Sequence, residues 1–166
     1  MSTHQAYYAS PLGTIQVTCN DACITELHFL HSEERGTRQH HAAAAPPVLQ
    51  QCLDQLIEYF QGRRKTFDVP VYQEGTDFQL RVWNELLNIP FGKTISYLTL
   101  AKRLGDPKAI RAAASTNGKN NIAIIVPCHR VIGSNNDLIG YASGVWRKRW
   151  LLEMEAKVEH GVQTLF

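Results

Sequence analysis

The sequence has no apolar run long enough to cross a bilayer, which excludes a transmembrane helix of ordinary length. Its first ten residues lack the basic start and apolar stretch of a secretory leader. No C-x-x-C pair occurs among its four cysteines, Cys19, Cys23, Cys52 and Cys128, to complete a tetrahedral zinc site with the adjacent Cys128 and His129. Four thiols would suffice for two disulfides, but a chain of 166 residues builds enough core to do without such staples. Reduced thiols in a cytosolic setting are therefore expected. Charge is also scarce overall, with a net of +2, but it is unevenly spread. Residues 1–90 carry 6 Lys and Arg against 10 Asp and Glu, a net of −4, whereas residues 91–166 carry 11 against 5, a net of +6. A basic half is often only a solvated face, and by itself it favours nucleic acid weakly.

What is present reads as a mixed α/β (α+β) chain. Residues 5–9, 14–19 and 22–30 alternate apolar and polar positions around short turns, the pattern of a three-stranded antiparallel meander. Residues 31–47 are polar and histidine-rich before Pro46-Pro47, and read as a surface loop in which His31, His40 and His41 are solvated. Leu49, Cys52, Leu53, Leu56, Ile57 and Phe60 form one helical stripe, and 67–71 has the composition of a closing strand. These elements make an N-terminal supporting domain over 1–75.

The C-terminal domain, 76–166, reads as mostly helical. Thr76 or Asp77 caps a helix bearing Phe78, Val82, Leu86 and Leu87. Ser96 caps a second, Tyr97 to Leu104, with Leu98, Ala101 and Leu104 expected inward. Gly105 breaks it, and Asp106-Pro107 starts a third, Lys108 to about Thr116. Two short helices about a glycine turn are a helix-turn-helix candidate, although many such pairs never touch DNA. A glycine-rich stretch from Gly133 to Gly144 suits a loop folded over a pocket. The last helix starts near Val145, with Trp146, Trp150, Leu151 and Met154 available to pack.

Between these helices lies Val126-Pro127-Cys128-His129-Arg130-Val131, directly after the apolar run Ile122 to Val126. Such a run reads as a short buried strand leading to the cysteine loop. A thiol there, beside basic groups, can be held as thiolate, the form that attacks carbon. A single cysteine is more often a small buried hydrophobe than a nucleophile, and Cys128 alone favours that reading.

Taken together, the C-terminal segments resemble the O6-alkylguanine-DNA alkyltransferases of the bacterial stand-alone type. The resemblance is carried by Phe78-Gln79-Leu80-Arg81-Val82-Trp83, by the stretch Ile89 to Tyr97, and by Leu100-Ala101 with Gly105. It continues through Pro107 to Ala113, Asn120, Ile125 to Val131, Gly140-Tyr141, and Lys148 to Leu152 with Glu155. It is dense over about 76–157 and loose before that.

The resemblance implies direct reversal of DNA damage: irreversible, stoichiometric transfer of an alkyl group from O6-alkylguanine, and from O4-alkylthymine, to Cys128 after base flipping. His129 would act as base on the thiol through a water, oriented by Glu155. Asn120 would brace the turn before the cysteine. Tyr97 would donate a proton to the leaving guanine, and Lys148 would steady the loop and the leaving group. Arg111 would enter the duplex in place of the flipped nucleotide. Lys108, Ala112, Ala113, Asn117 and Arg130, with Tyr97, would contact DNA. Val131, Tyr141, Ala142, Ser143, Trp83 and Ala123 would line the base pocket. The implied partner is double-stranded DNA carrying the lesion, bound by a monomer away from any membrane, in the cytoplasm, with no cofactor. His4, Cys19, Cys23 and His28 do not match the spacing of the zinc ligands some members carry, so no metal is expected. Asn121 and Ala123 stand where relatives often have proline, and Ala142 where some have serine. Three other readings compete: a relative that binds alkylated DNA without transfer, a helix-turn-helix regulator with an inert Cys128, and a cysteine hydrolase. Relatives of the first kind lack the acceptor cysteine, and no glycine-rich oxyanion turn precedes Cys128 to favour the last.

Overall fold

A computed structural model of the chain describes residues 2–31 and 45–161. The chain divides into two compact units, Met1–Gln73 and Glu74–Phe166.

In the first unit, strands β1 (His4–Ser10), β2 (Gly13–Cys19) and β3 (Ile24–Phe29) form an antiparallel sheet in that order. Ala6, Ile15, Val17, Cys19, Ile24 and Leu27 are fully buried, as one face of an alternating sheet requires. Helix α1 (Pro47–Phe60) covers that face with Leu49, Cys52, Leu53, Leu56 and Tyr59. Proline at its first position fits, because no intrahelical donor is needed there. The strand expected over 67–71 reduces to one bridge, in which Ile24 donates to the Pro70 carbonyl (2.9 Å) and Tyr72 donates to that of Ile24 (2.9 Å). Pro70 has no N–H to extend a ladder. Gln55 instead pins this return segment to α1, bonding both the Asp68 side chain and its backbone N–H. Most of the loop expected over 31–47, with His40 and His41, lies outside the described residues.

In the second unit, α2 (Asp77–Leu86) begins with a capping box. The Thr76 hydroxyl accepts from Gln79 N–H (3.2 Å) and the Gln79 amide oxygen accepts from Thr76 N–H (3.0 Å). The two-residue strand β4 (Ile95–Ser96) pairs in parallel with β5 (Val131–Ile132). Ser96 caps α3 (Tyr97–Arg103), and Asp106 caps a single 3-10 turn over Pro107–Ala109 that leads into α4 (Ile110–Gly118). Helices α3 and α4 pack on each other. Leu98, expected inward, is 41% exposed, and Leu100 takes the buried position with Ala101 and Leu104. The long final helix is α5 (Val145–His160). Trp146 at its start does not pack inward. It is 56% exposed, with the Arg147 guanidinium 4.4 Å over its ring. No described helix is long and apolar enough to cross a membrane.

The largest departure from the sequence reading is the run Ile122 to Val126. It is buried throughout, but it is a series of tight turns rather than a strand. Apart from a bridge position at Ile122, local hydrogen bonds shape it: Ile125 N–H to Ala123 O (2.8 Å), Val126 N–H to Ile122 O (3.1 Å) and Cys128 N–H to Val126 O (2.8 Å). Ile124 has φ 71°, a conformation that a β-branched residue adopts only at a cost of about 1–3 kcal/mol. Burial alone does not distinguish a strand from a buried turn. Among the described residues, the strand adjoining the cysteine in sequence is β5, which follows it.

Candidate active site

Asn120 makes the buried turn possible. Its side-chain amide donates to the carbonyls of Ile122 (3.2 Å) and Val126 (2.8 Å), and its oxygen accepts from Ile122 N–H (3.1 Å). One side chain thus satisfies backbone groups that a sheet ladder would otherwise serve. The turn delivers the chain to a short 3-10 helix, Cys128–Arg130, whose three residues are all buried. Asn117 on α4 donates to the Cys128 carbonyl (3.2 Å), tying this helix to α4.

Cys128 is 7% exposed. Burial raises its thiol pKa, and the Asn120 side chain, the Lys148 charge and the Cys128 and His129 backbone N–H groups only partly oppose that shift. The thiolate anticipated from neighbouring basic residues is therefore not the resting form. Arg130 points away to a carboxylate, and desolvation dominates.

His129 is fully buried, and its Nε2 lies 2.7 Å from Glu155 Oε2. A carboxylate only accepts, so Nε2 carries the proton and Nδ1 presents a lone pair. Nδ1 is buried without a hydrogen-bond partner among the described residues, as are Asn117 Oδ1 and Tyr141 Oη. Burial holds His129 below its ordinary pKa, against the pull of Glu155. Glu155 accepts at both carboxylate oxygens: at Oε2 from His129 and from Arg130 Nη2 (3.0 Å), and at Oε1 from Arg130 Nε (2.8 Å) and Gly92 N–H (3.2 Å). Burial would raise this carboxyl, but the charges and bonds of His129 and Arg130 outweigh it and hold Glu155 far below the usual carboxylate range.

Lys148 is also fully buried. Its ammonium donates to the Ile139 carbonyl (3.0 Å) and lies 5.7 Å from the Tyr97 ring centre. Burial pulls its pKa down to about 8, although Cys128 opposes the shift. Tyr97 Oη donates to the same carbonyl (3.2 Å). Burial, then the nearby Cys128, keeps the Tyr97 phenol protonated.

A cleft of about 530 Å³ opens over this cluster, lined by Tyr97, Ile110, Arg111, Ala114 and Gly118 on one side and by Ile139 to Ala142 on the other. Tyr97 and Tyr141 line it, and each has its pKa raised by burial and then by the nearby Cys128; Cys128 itself is not among the lining residues. Arg111, Lys108 and Ala112 are exposed on and beside α4.

Several residues take places other than those expected. Arg130 is 6% exposed. Its guanidinium is spent on Glu155 and on the Ile89 carbonyl (2.7 Å), so it cannot reach a phosphate. Ala113 and Asn117 lie on the inner face of α4 rather than on a DNA-facing surface. Trp83 sits behind α4, donating from Nε1 to the Thr116 carbonyl (3.1 Å), and does not line the cleft. Nor do Val131, which is fully buried in β5, Ala123 in the buried turn, or Ser143, whose carbonyl accepts from Arg147 (2.8 Å). The Ile139 carbonyl, which gathers Lys148 and Tyr97, was missed, as were Gly92 and Ile89 around Glu155. All three act through backbone groups, which leave no mark on side-chain identity.

Comparison with known proteins fits this geometry. The family model described as 6-O-methylguanine DNA methyltransferase, DNA binding domain, matches residues 77–157. The one described as 6-O-methylguanine DNA methyltransferase, ribonuclease-like domain, matches residues 3–73. The chain belongs to the 6-O-methylguanine DNA methyltransferase family. It is 43% identical to the methylated-DNA–protein-cysteine methyltransferase of Mycobacterium tuberculosis, over 98% of both chains. It is 42% identical to the constitutive Bacillus subtilis enzyme of that name, over 90% of this chain and 94% of the other. Among solved structures, the Mycobacterium tuberculosis O6-methylguanine methyltransferase superposes with TM-score 0.81 at 40% identity, covering 94% of each chain. A crystal structure from the same organism titled as a complex with DNA gives TM-score 0.81 at 43% identity over 92% of each. The mixed α/β architecture, with its three-stranded sheet and five α-helices, is that of these neighbours.

Proposed function

We propose that Cys128 is the alkyl acceptor of this methylated-DNA–protein-cysteine methyltransferase, and that O6-alkylguanine in duplex DNA is its substrate. The observation that supports this reading is a buried thiol followed in the chain by a buried imidazole that is bonded to Glu155, and close to Lys148, Tyr97 and Tyr141, the last two of which line a cleft of about 530 Å³. His129 takes the thiol proton at Nδ1 through a bridging water. Sulfur then attacks the alkyl carbon, the carbon–O6 bond breaks, and its electron pair leaves on guanine. Tyr97 supplies the proton that guanine needs, with Lys148 stabilising the developing charge. The thioether formed resists water, so each molecule reacts once. Atoms and charge balance without a cofactor. O4-alkylthymine presents the same ether chemistry and is a second substrate.

The lesion is stacked in the duplex and has to be extruded, at a cost of a few kcal/mol. Helices α3 and α4 act as the helix-turn-helix, with Lys108 and Ala112 near the phosphates and Arg111 filling the gap. Gly140, Tyr141 and Ala142 close over the base, with backbone N–H groups reading its edge. Binding by a monomer in the cytoplasm is salt-sensitive and indifferent to flanking sequence.

Incubation with an oligonucleotide containing O6-methylguanine should add one methyl group to the intact mass, mapped to Cys128 and missing from Cys128→Ser. An unmodified wild-type protein that still binds the oligonucleotide would refute the assignment. Arg111→Ala should slow repair of duplex DNA about tenfold or more while leaving reaction with a free modified base nearly unchanged. Equal losses on both substrates would rule out the wedge.

A further inference from the structure

Arg130 touches neither the cleft nor the thiol, yet it makes three bonds at the centre of the unit. Two go to Glu155 as a fork, and the third, to the Ile89 carbonyl, fixes the turn whose Gly92 N–H also binds Glu155. The guanidinium lies 5.8 Å from the Phe91 ring centre. Such a planar fork orients a carboxylate as a single ammonium cannot. The consequence concerns His129. A buried carboxylate whose one cationic partner was the imidazole would draw a proton onto it, forming a closed imidazolium–carboxylate pair. That imidazolium would have no lone pair to offer a thiol.

We infer that Arg130 is a positioning residue for the transfer reaction: by occupying both oxygens of Glu155 it balances that charge, so that His129 rests neutral with its proton on Nε2 and Nδ1 free to accept. The inference rests on the alkyl-transfer reading above. The charged groups bearing on His129 are Glu155 on α5, Arg130 beside it, and Lys148 on the first turn of α5; Cys128 precedes it in the chain. Tyr141 and Tyr97 lie near Cys128. Lys148 and Arg130 both disfavour a second proton on the ring, and Glu155 alone favours one. During the reaction the thiol proton moves to Nδ1, Nε2 keeps its own, and the imidazolium then faces a carboxylate already held in place.

Imidazole NMR of the free protein, with His129 assigned through His129→Gln, tests this without DNA. The wild-type ring should be neutral at pH 7 with its proton on Nε2. In Arg130→Gln its titration midpoint should rise by about one pH unit or more. Arg130→Lys keeps a charge near Glu155 and should move the midpoint less. Single-turnover transfer should track the ring, with the acid limb of the Arg130→Gln pH–rate profile displaced upward by the same amount. At pH 7 its rate should fall only as the neutral fraction of the ring falls, by up to about threefold for a one-unit rise, with larger losses at lower pH. A uniform loss of rate at every pH with an unmoved midpoint would mark Arg130 as a scaffold residue and overturn the inference. If both variants fail to fold, a wild-type ring found charged at pH 7 overturns it equally. Absence of any methyl transfer by the wild type would fault the transfer reading, while the NMR midpoints would still decide the role of Arg130.

Discussion

Glu155→Ala should destabilise the second unit by about 3–5 kcal/mol, the usual result of removing one partner from a buried ion pair. The substitution strands the Arg130 guanidinium in a site that is 6% exposed, and it leaves His129 Nε2–H and Gly92 N–H without their acceptor. All three tryptophans, Trp83, Trp146 and Trp150, lie in this unit, so urea unfolding followed by tryptophan fluorescence reads it directly. Arg130→Met combined with Glu155→Leu should lose less than Glu155→Ala alone, because no charge is left uncompensated. Methyl transfer by Glu155→Ala should fall by about two orders of magnitude or more, since the base loses both its orientation and its tautomer. A Glu155→Ala protein within 1 kcal/mol of wild type, as judged against the scale for surface substitutions, would show that the arrangement around Glu155 carries no such weight.

The same carboxylate makes the fold acid-sensitive. Glu155 has a depressed pKa in the folded state against about 4.3 when unfolded, so its contribution is full above that value and is lost as pH falls below it. His129 is also depressed when folded, against about 6.5 when unfolded. The unfolded chain therefore binds the extra proton first, and stability declines as pH drops below about 6.5. Wild-type urea midpoints should fall steadily from pH 7 to pH 4, and Glu155→Ala should flatten the part of that slope below about pH 4.5.

Asn120→Ala is the second large effect. The Asn120 side chain makes three bonds to the buried turn, and leaving such groups unsatisfied costs about 1–3 kcal/mol each, with the sum less than additive. A net loss of about 2–4 kcal/mol is expected. The turn already contains Ile124 at φ 71°, a strained conformation that persists only where its surroundings over-determine it. Without Asn120 the stretch from Ile122 to Cys128 should open locally, raising amide hydrogen exchange there far more than in α2 or the centre of α5. Transfer should slow by about tenfold or more, because a thiol displaced by even 1 Å loses its alignment. Protection at Val126 and Cys128 equal to that of wild type would show that the turn holds itself. Asn120→Asp should be worse than the alanine variant for transfer, since it removes the donor and sets a negative charge beside the thiolate.

Much of the fold was legible because it follows local rules. The alternation in 4–29, the stripe from Leu49 to Leu56, the Thr76 box and the Ser96 cap each depend on residues a few positions apart. The cysteine, histidine and glutamate also stood out in sequence, since their chemistry is in their side chains. What stayed hidden was of another kind. Arg130 reads as a basic residue beside a cysteine, and nothing local shows that its charge is consumed 25 residues away by Glu155. Trp83 reads equally well as a pocket wall or as a core residue bonded to the Thr116 carbonyl. The run Ile122 to Val126 has the composition of a strand, and its apolar side chains are indeed buried, but beyond a single bridge position at Ile122 it folds into turns.

By itself, the sequence determined most of the helices and the three-stranded sheet, because caps and periodicity operate over a few residues. Only the tertiary structure decided which charges meet and which carbonyls are served by Asn120, Lys148 and Tyr97. It also decided that the Cys128 thiol is protonated at rest. Desolvation and buried ion pairs depend on what surrounds a group in three dimensions, and those surroundings come from residues far apart along the chain.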